Sequence, residues 1–197
     1  NGRCNFSNAD PDPALYRNAA HVAATLAAFE GRARAERAAA LGDPLGLTNL
    51  GWCLEAGIGV EADPKQAVLL YAQAASQEYM PALTNLGYCY TYGIGVETDE
   101  ARALECFQKG AEQGFPRAQF LLGEAYRRGV GTEQDDGEAA KWYQSAAWLG
   151  YPAAQTELGR CFEFGTGVEE DLEQAAKWYL AAAEQGNAPG QCCLGFC

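Results

Sequence analysis

Eight cysteines, one histidine and 26 carboxylates are the side chains of this 197-residue chain with chemistry to offer. Cysteines at metal-ligand spacing would suggest zinc, and an even number in a secreted chain would suggest disulfide staples. Their placement decides more than their number. Cys53, Cys89, Cys161 and Cys197 are separated by 36, 72 and 36 residues, with Ala125 in the vacant register. A position that alternates between Cys and Ala asks for a small, weakly polar side chain in a tight space, which is how buried reduced thiols behave. Cys4, Cys106 and the adjacent Cys192 and Cys193 have no evident partners, and no Cys-x-x-Cys or Cys/His spacing points to zinc. His21 sits in an alanine-rich stretch and reads as a surface or packing residue rather than a base. Gly-x-Gly recurs four times with no strand before it, so it reads as a helix-loop device and not a nucleotide fingerprint. No convergent set of carboxylates stands out either. The expectation is a chain without catalytic residues, bound metal or cofactor.

Charge narrows the partners. Fourteen basic residues against 26 acidic ones give a net charge of −12. Such a chain repels phosphate backbones and anionic lipid, which argues against nucleic acid and membrane surfaces. No apolar run approaches the ~18 residues that span a bilayer, so no membrane insertion is expected. The sequence starts at Asn1 without an initiating Met or a basic stretch ahead of an apolar run, which leaves a removed signal and an arbitrary start both open. Hydrophobic residues at 48% with charged residues at 20% fit neither a disordered chain nor a coiled coil.

The elements that position these residues come from a repeat. Leu-Gly recurs at Leu50-Gly51, Leu86-Gly87, Leu122-Gly123, Leu158-Gly159 and Leu194-Gly195, each step being 36 residues. Gly57/Gly59, Gly93/Gly95, Gly129/Gly131 and Gly165/Gly167 follow in register, then Asp63, Asp99, Asp135 and Asp171. An alanine and an aromatic come next, the aromatics being Tyr71, Phe107, Tyr143 and Tyr179. Each copy reads as two helices. The first carries an apolar stripe at helical spacing and is stopped by Gly-x-Gly. The aspartate caps the second, with Gln66, Glu138 and Gln174 as partners of a capping box that Arg102 breaks in copy two. A glycine in mid-helix costs roughly 1 kcal/mol relative to alanine, so its recurrence implies close contact between the two helices. One such pair cannot bury its own apolar faces, and stacking into a solenoid becomes obligatory. The expected organisation is an extended or disordered lead (1–12), a divergent helical pair capping the amino end (13–43), and an array over 44–197. Its copies are 44–79, 80–115, 116–151 and 152–187, with a partial fifth at 188–197.

The pattern A-x-x-x-L-G-x-x-Y-x-x-G-x-G-V, then D, A, an aromatic and A-A-x-x-G, resembles the Sel-one-like repeat (SLR) family. Its clearest copy runs from Ala82-Leu83-Thr84-Asn85-Leu86-Gly87 to Gly93-Ile94-Gly95-Val96, and the resemblance covers about four-fifths of the chain. It implies an all-α, right-handed α/α superhelix like tetratricopeptide arrays, with first helices lining the concave face. It also implies a non-enzymatic adaptor or scaffold that binds a protein or peptide. One branch, secreted and cysteine-rich, is associated with β-lactam binding or hydrolysis and carries a ladder of disulfides. At the ladder positions this chain has Ala75, Ala111, Ala147 and Ala183, then Ala82, Ala118, Ala154 and Gly190, which argues against that activity. That branch and an architectural segment of a longer array remain the alternatives. Localisation is not fixed by the sequence: reduced thiols favour the cytoplasm, the resemblance implies a bacterial source, and a secreted or periplasmic setting stays open.

By the tetratricopeptide analogy, the groove is lined by Thr48, Asn49, Trp52 and Glu55; Thr84, Asn85, Tyr88 and Thr91; Arg117, Phe120, Glu124 and Arg127; and Thr156, Arg160 and Glu163. Trp52, Tyr88 and Phe120 would form an aromatic patch, or else simply cover apolar surface between helices. Asn49 and Asn85 suit a peptide backbone or carboxylate, and Arg127 or Arg160 an acidic side chain. Residues 1–43 hold five acids and five bases, so the whole net charge belongs to the repeats. Eleven acids crowd the loops entering the second helices, from Glu61 and Asp63 to Glu170 and Asp171. They read as dipole-favoured solubilising residues or as a docking edge for a basic partner.

Overall fold

Aspartate and glycine punctuate this chain, and the helices fall between them. The computed structural model describes residues 30–194 apart from residue 59, and the described residues form ten helices and no strand. These are α1 (Glu30–Ala40), α2 (Pro44–Ala56), α3 (Pro64–Ala75), α4 (Met80–Tyr92), α5 (Glu100–Glu112), α6 (Pro116–Arg128), α7 (Asp136–Trp148), α8 (Pro152–Phe164), α9 (Leu172–Glu184) and α10 (Ala188–Leu194). Each repeat pairs a first helix, A, with a second, B: α2 with α3, α4 with α5, α6 with α7 and α8 with α9. Every B helix also packs on the next A helix, and α4 touches both α2 and α6, so the pairs stack as an all-α repeat solenoid. The expected lead and the first helix of the amino-terminal pair lie outside the described residues. α1 packs on α2 in the manner of a preceding B helix.

The A helix ends where glycine permits a left-handed residue: Gly57, Gly93, Gly129 and Gly165 take φ of 64–69° and donate to the carbonyls of Cys53, Cys89, Ala125 and Cys161. The second glycine of the pair has a different task, which the sequence reading did not separate from the first. A Cβ at Gly95, Gly131 or Gly167 would run into the carbonyl of Pro64, Glu100 or Asp136, at the start of the preceding repeat's B helix. It is an inter-repeat contact. Gly59 lies outside the described residues.

Asp63, Asp99, Asp135 and Asp171 cap α3, α5, α7 and α9, accepting from the N–H of Gln66, Arg102, Glu138 and Gln174 at 2.9–3.0 Å. The capping box is a correction. Each aspartate's own N–H is already used, donating across the loop to Leu54, Tyr90, Tyr126 or Phe162 at 2.8–3.0 Å. No donor is left for a side chain at N3 to satisfy. Arg102 is therefore accommodated in repeat two, where it pairs with Asp99 at 3.2 Å.

The mid-helix glycines do hold the pair together. The rings of Tyr71, Phe107, Tyr143 and Tyr179 lie on Gly51, Gly87, Gly123 and Gly159, where an added Cβ would sit only 2.6–2.8 Å from a ring carbon. All four rings are buried. Burying one such ring stabilises by roughly 1.5–3 kcal/mol, which exceeds the ~1 kcal/mol cost of glycine in the helix. Cys53, Cys89, Ala125 and Cys161 share a buried register beneath this contact. Burial pushes the Cys89 and Cys161 thiols up to about 12 and that of Cys106 up to about 11. Cys4 and Cys197 lie outside the described residues.

Two tests follow from this packing. B helices end in a left-handed residue, glycine at 42, 114, 150 and 186 (φ 73–80°) but Glu78 (φ 58°) in repeat one. Left-handed geometry costs an L-residue roughly 1–2 kcal/mol, so Glu78→Gly is expected to raise stability to urea by about 0.5–1 kcal/mol; a loss would contradict this. The second concerns alkaline pH. The folded thiols ionise later than unfolded ones, so the unfolded chain binds fewer protons above about pH 9 and stability falls as pH rises. Cys89→Ala, which copies Ala125, is expected to flatten that fall between pH 8 and 10.5 by up to ~1.4 kcal/mol per pH unit. An unchanged slope would count against burial as the cause.

Candidate interaction face on the A helices

Side chains on the A helices divide between two directions. The register 48/84/120/156, expected in the groove, turns toward the following repeat instead. Thr48 and Thr84 are buried and donate to Pro44 and Met80 O of their own helices at 2.7 Å. Thr156 is buried as well and bonds Asn187 at 3.0 Å. A buried hydroxyl needs a partner, and the carbonyl four residues back supplies one. Phe120 occupies the same register and packs on Tyr143 and Tyr151, with centroids 5.8 and 5.4 Å away. Thr48, Thr84 and Phe120 are therefore packing residues.

Most of the remaining positions are at least partly accessible. Asn49, Trp52, Tyr88 and Glu124 are half-buried, and Arg127 and Arg160 are exposed. Trp52 also packs over the cluster of Tyr71, Leu86 and Cys89. Tyr88 pairs with Tyr92 at 4.4 Å between centroids. Three aromatics expected as one patch are thus distributed over three local contacts. Asn85 is buried and accepts from Arg117 at 2.6 Å, so its amide oxygen positions that guanidinium.

Carboxylates on this face are committed to neighbours. Glu55 accepts from the Tyr71 hydroxyl at 2.7 Å and Glu163 from Tyr179 at 2.5 Å. Glu124 accepts from Tyr143 and from Arg127, the latter at 2.7 Å, and Glu157 from Arg160 at 3.3 Å. Burial raises Glu55 above the usual carboxylate value, opposed by Tyr71 and Arg117. Burial likewise raises Glu157, opposed by Arg160. Arg127 is held further up by its bonds to Glu124. Among the described residues no cluster of His, Cys, Asp and Glu is placed to hold a metal ion. The arrangement offers paired charges, amides and aromatic surface to a binding partner.

Repeat two departs from this scheme. Phe107 has no hydroxyl and Thr91 replaces the acid, its own hydroxyl bonding Gly87 O at 3.0 Å. A shallow depression, partly open to solvent, lies here between α4 and α6, with the buried Phe107 and Ala125 at its floor. Tyr88, Leu121 and Val130 form walls, and Thr91, Tyr92, Glu124 and Arg128 also line it. Tyr92, Leu121 and Arg128 were not among the expected groove residues. Tyr92 and Arg128 occupy the last turn before the glycine stop, and the exchange of Tyr for Phe at 107 was the available signal.

The acids of the B-helix loops are partly spent locally. Four are the caps described above, and Glu100 accepts from Gly131 N of the next repeat at 3.2 Å.

Comparison with known proteins agrees with the architecture. The Sel1 repeat model matches residues 44–79, 81–115, 116–151 and 152–187. The chain belongs to the Sel1 repeat family. A solved protective antigen of uropathogenic Escherichia coli, described as displaying an SLR fold, is 34% identical with a TM-score of 0.73 over 85% of this chain. A Sel1 repeat protein from Oxalobacter formigenes is 33% identical with a TM-score of 0.77 over 93%. An immunity protein from Pseudomonas aeruginosa is 25% identical with a TM-score of 0.64 over 94%. This chain spans 36%, 72% and 69% of those three chains respectively. No curated protein matches. Sel1 repeats are commonly protein-interaction scaffolds and are generally not enzymes. No helix among the described residues is long and apolar enough to cross a membrane.

Proposed function

We propose that this Sel1 repeat array is a non-enzymatic adaptor that binds a protein or an extended peptide along its A-helix face. The observation that carries this reading is the aromatic-lined opening between α4 and α6, in a stack of A helices that also carries the half-buried Trp52 and Asn49 and the exposed Arg127 and Arg160. Tyrosine, tryptophan and arginine are the side chains that anchor interfaces, because they present large amphipathic area at modest entropic cost. A face whose carboxylates are already bonded internally leaves amides, rings and guanidinium edges for a partner.

The β-lactam alternative draws no support from the fold. The ladder positions Ala82, Ala118 and Ala154 are fully buried between helices, where the small side chain is a packing requirement. The acidic loop edge as a dock for a basic partner is likewise weakened, because several of those acids cap helices or bond the next repeat.

Panning a peptide-phage library against the chain tests the proposal. Selected peptides are expected to bind the Trp52→Ala/Tyr88→Ala variant at least about tenfold more weakly, in keeping with loss of two aromatic anchors. Equal binding by a variant of unchanged helicity would place the interaction elsewhere.

A further inference from the structure

We propose that the depression between α4 and α6 is an anchor subsite for a large apolar side chain adjoining a carboxylate, with Arg128 as the carboxylate's partner. The inference rests on the A-helix face being the binding face, and names the chemistry of what binds there.

The apolar half of the argument comes from comparing repeats. In repeats one and four a Tyr–Glu hydrogen bond (Tyr71 to Glu55, Tyr179 to Glu163) occupies this level of the A-helix face. In repeat three Tyr143 reaches Glu124 instead. Repeat two carries Phe107 and Thr91 at the corresponding positions, and the Thr91 hydroxyl is turned back onto its own helix. The floor is therefore apolar. The depression is shallow and partly open to solvent, a shape across whose apolar floor one side chain can lie and that cannot enclose a cofactor.

Charge supplies the other half. Glu124 at the mouth is taken by Arg127 and Tyr143. Arg128 is exposed and has no ion pair among the described residues; its guanidinium lies 3.4 Å from the Tyr92 hydroxyl. The uncommitted charge beside the apolar floor is thus positive. A guanidinium recognises a carboxylate in paired hydrogen bonds, and Tyr92 holds this one at the rim. The acidic crowding of the repeats lies mainly in the loops entering the B helices, so it does not occupy this mouth. An occupant that placed a lysine here would meet Arg128 unfavourably.

Fluorescein-labelled hexapeptides titrated into the full chain, read by fluorescence anisotropy, test the proposal. Four probes suffice: an internal Phe-Asp pair with an amidated end, a terminal Phe with a free carboxylate, an internal Phe-Lys pair and an internal Ala-Asp pair. One or both of the first two are expected to bind roughly five- to tenfold tighter than the last two. Which of the two binds tells a side-chain carboxylate from a chain terminus. Arg128→Ala is expected to erase the preference for Asp over Lys. Phe107→Tyr combined with Thr91→Glu installs the pair that repeats one and four already carry, so the fold is expected to persist while the preference for Phe over Ala is lost. Equal binding of Phe-Asp and Phe-Lys, unaltered preferences in these variants, or no binding of any probe at millimolar concentration would overturn the subsite. If phage-selected peptides still depend on Trp52 and Tyr88 in that event, the binding face survives and the subsite alone fails.

Discussion

The seat of an aromatic ring on a glycine, once per repeat, is the contact on which everything else here depends. Tyr71 on Gly51, Phe107 on Gly87, Tyr143 on Gly123 and Tyr179 on Gly159 bring each A helix and B helix closer than any Cβ would allow. That closeness fixes which positions of helix A are left over. Residues flanking the glycine enter the core, the 48/84/120/156 register meets the next repeat, and most of what remains is at least partly accessible. The second glycine of each loop then locks neighbouring repeats by admitting the carbonyl of the preceding B helix. Stability in such an array is a sum of repeat and interface terms, so these two contacts set both.

The same ring decides the character of the A-helix face. A tyrosine buried at its ring but reaching open surface with its hydroxyl needs an acceptor, and Glu55, Glu124 and Glu163 provide it. Replacing that tyrosine by Phe107 removes the demand, and with it the acid. The hydroxyl–carboxylate bond made in repeats one, three and four is thus missing in repeat two, where the ring borders an apolar opening.

Most of the fold was legible in the sequence because periodic contacts leave periodic residues. The 36-residue spacing, the helix stops at glycine, the aspartate caps and the Cys/Ala alternation all correspond to one buried or capped position repeated. What misled was direction around the helix. Thr48 and Thr84 look like surface residues by type, yet a threonine that bonds its own carbonyl can be fully buried, and helical spacing alone does not distinguish two adjacent faces. The capping box failed for a tertiary reason, since the donor it would satisfy was taken by the preceding helix. Arg128 and Tyr92 escaped notice because they stand at the helix end, where a residue reads as part of the stop signal. Their proximity becomes visible only when consecutive repeats are stacked.

Amide chemical-shift mapping of the isotopically labelled chain with a selected peptide tests the central claim, that partners bind on the A-helix face where repeats two and three meet. The account expects the largest changes in α4 and α6, at and around Tyr88, Tyr92, Leu121 and Arg128. Changes confined to α5, α7 and α9, or to the acidic loops ahead of them, would contradict it.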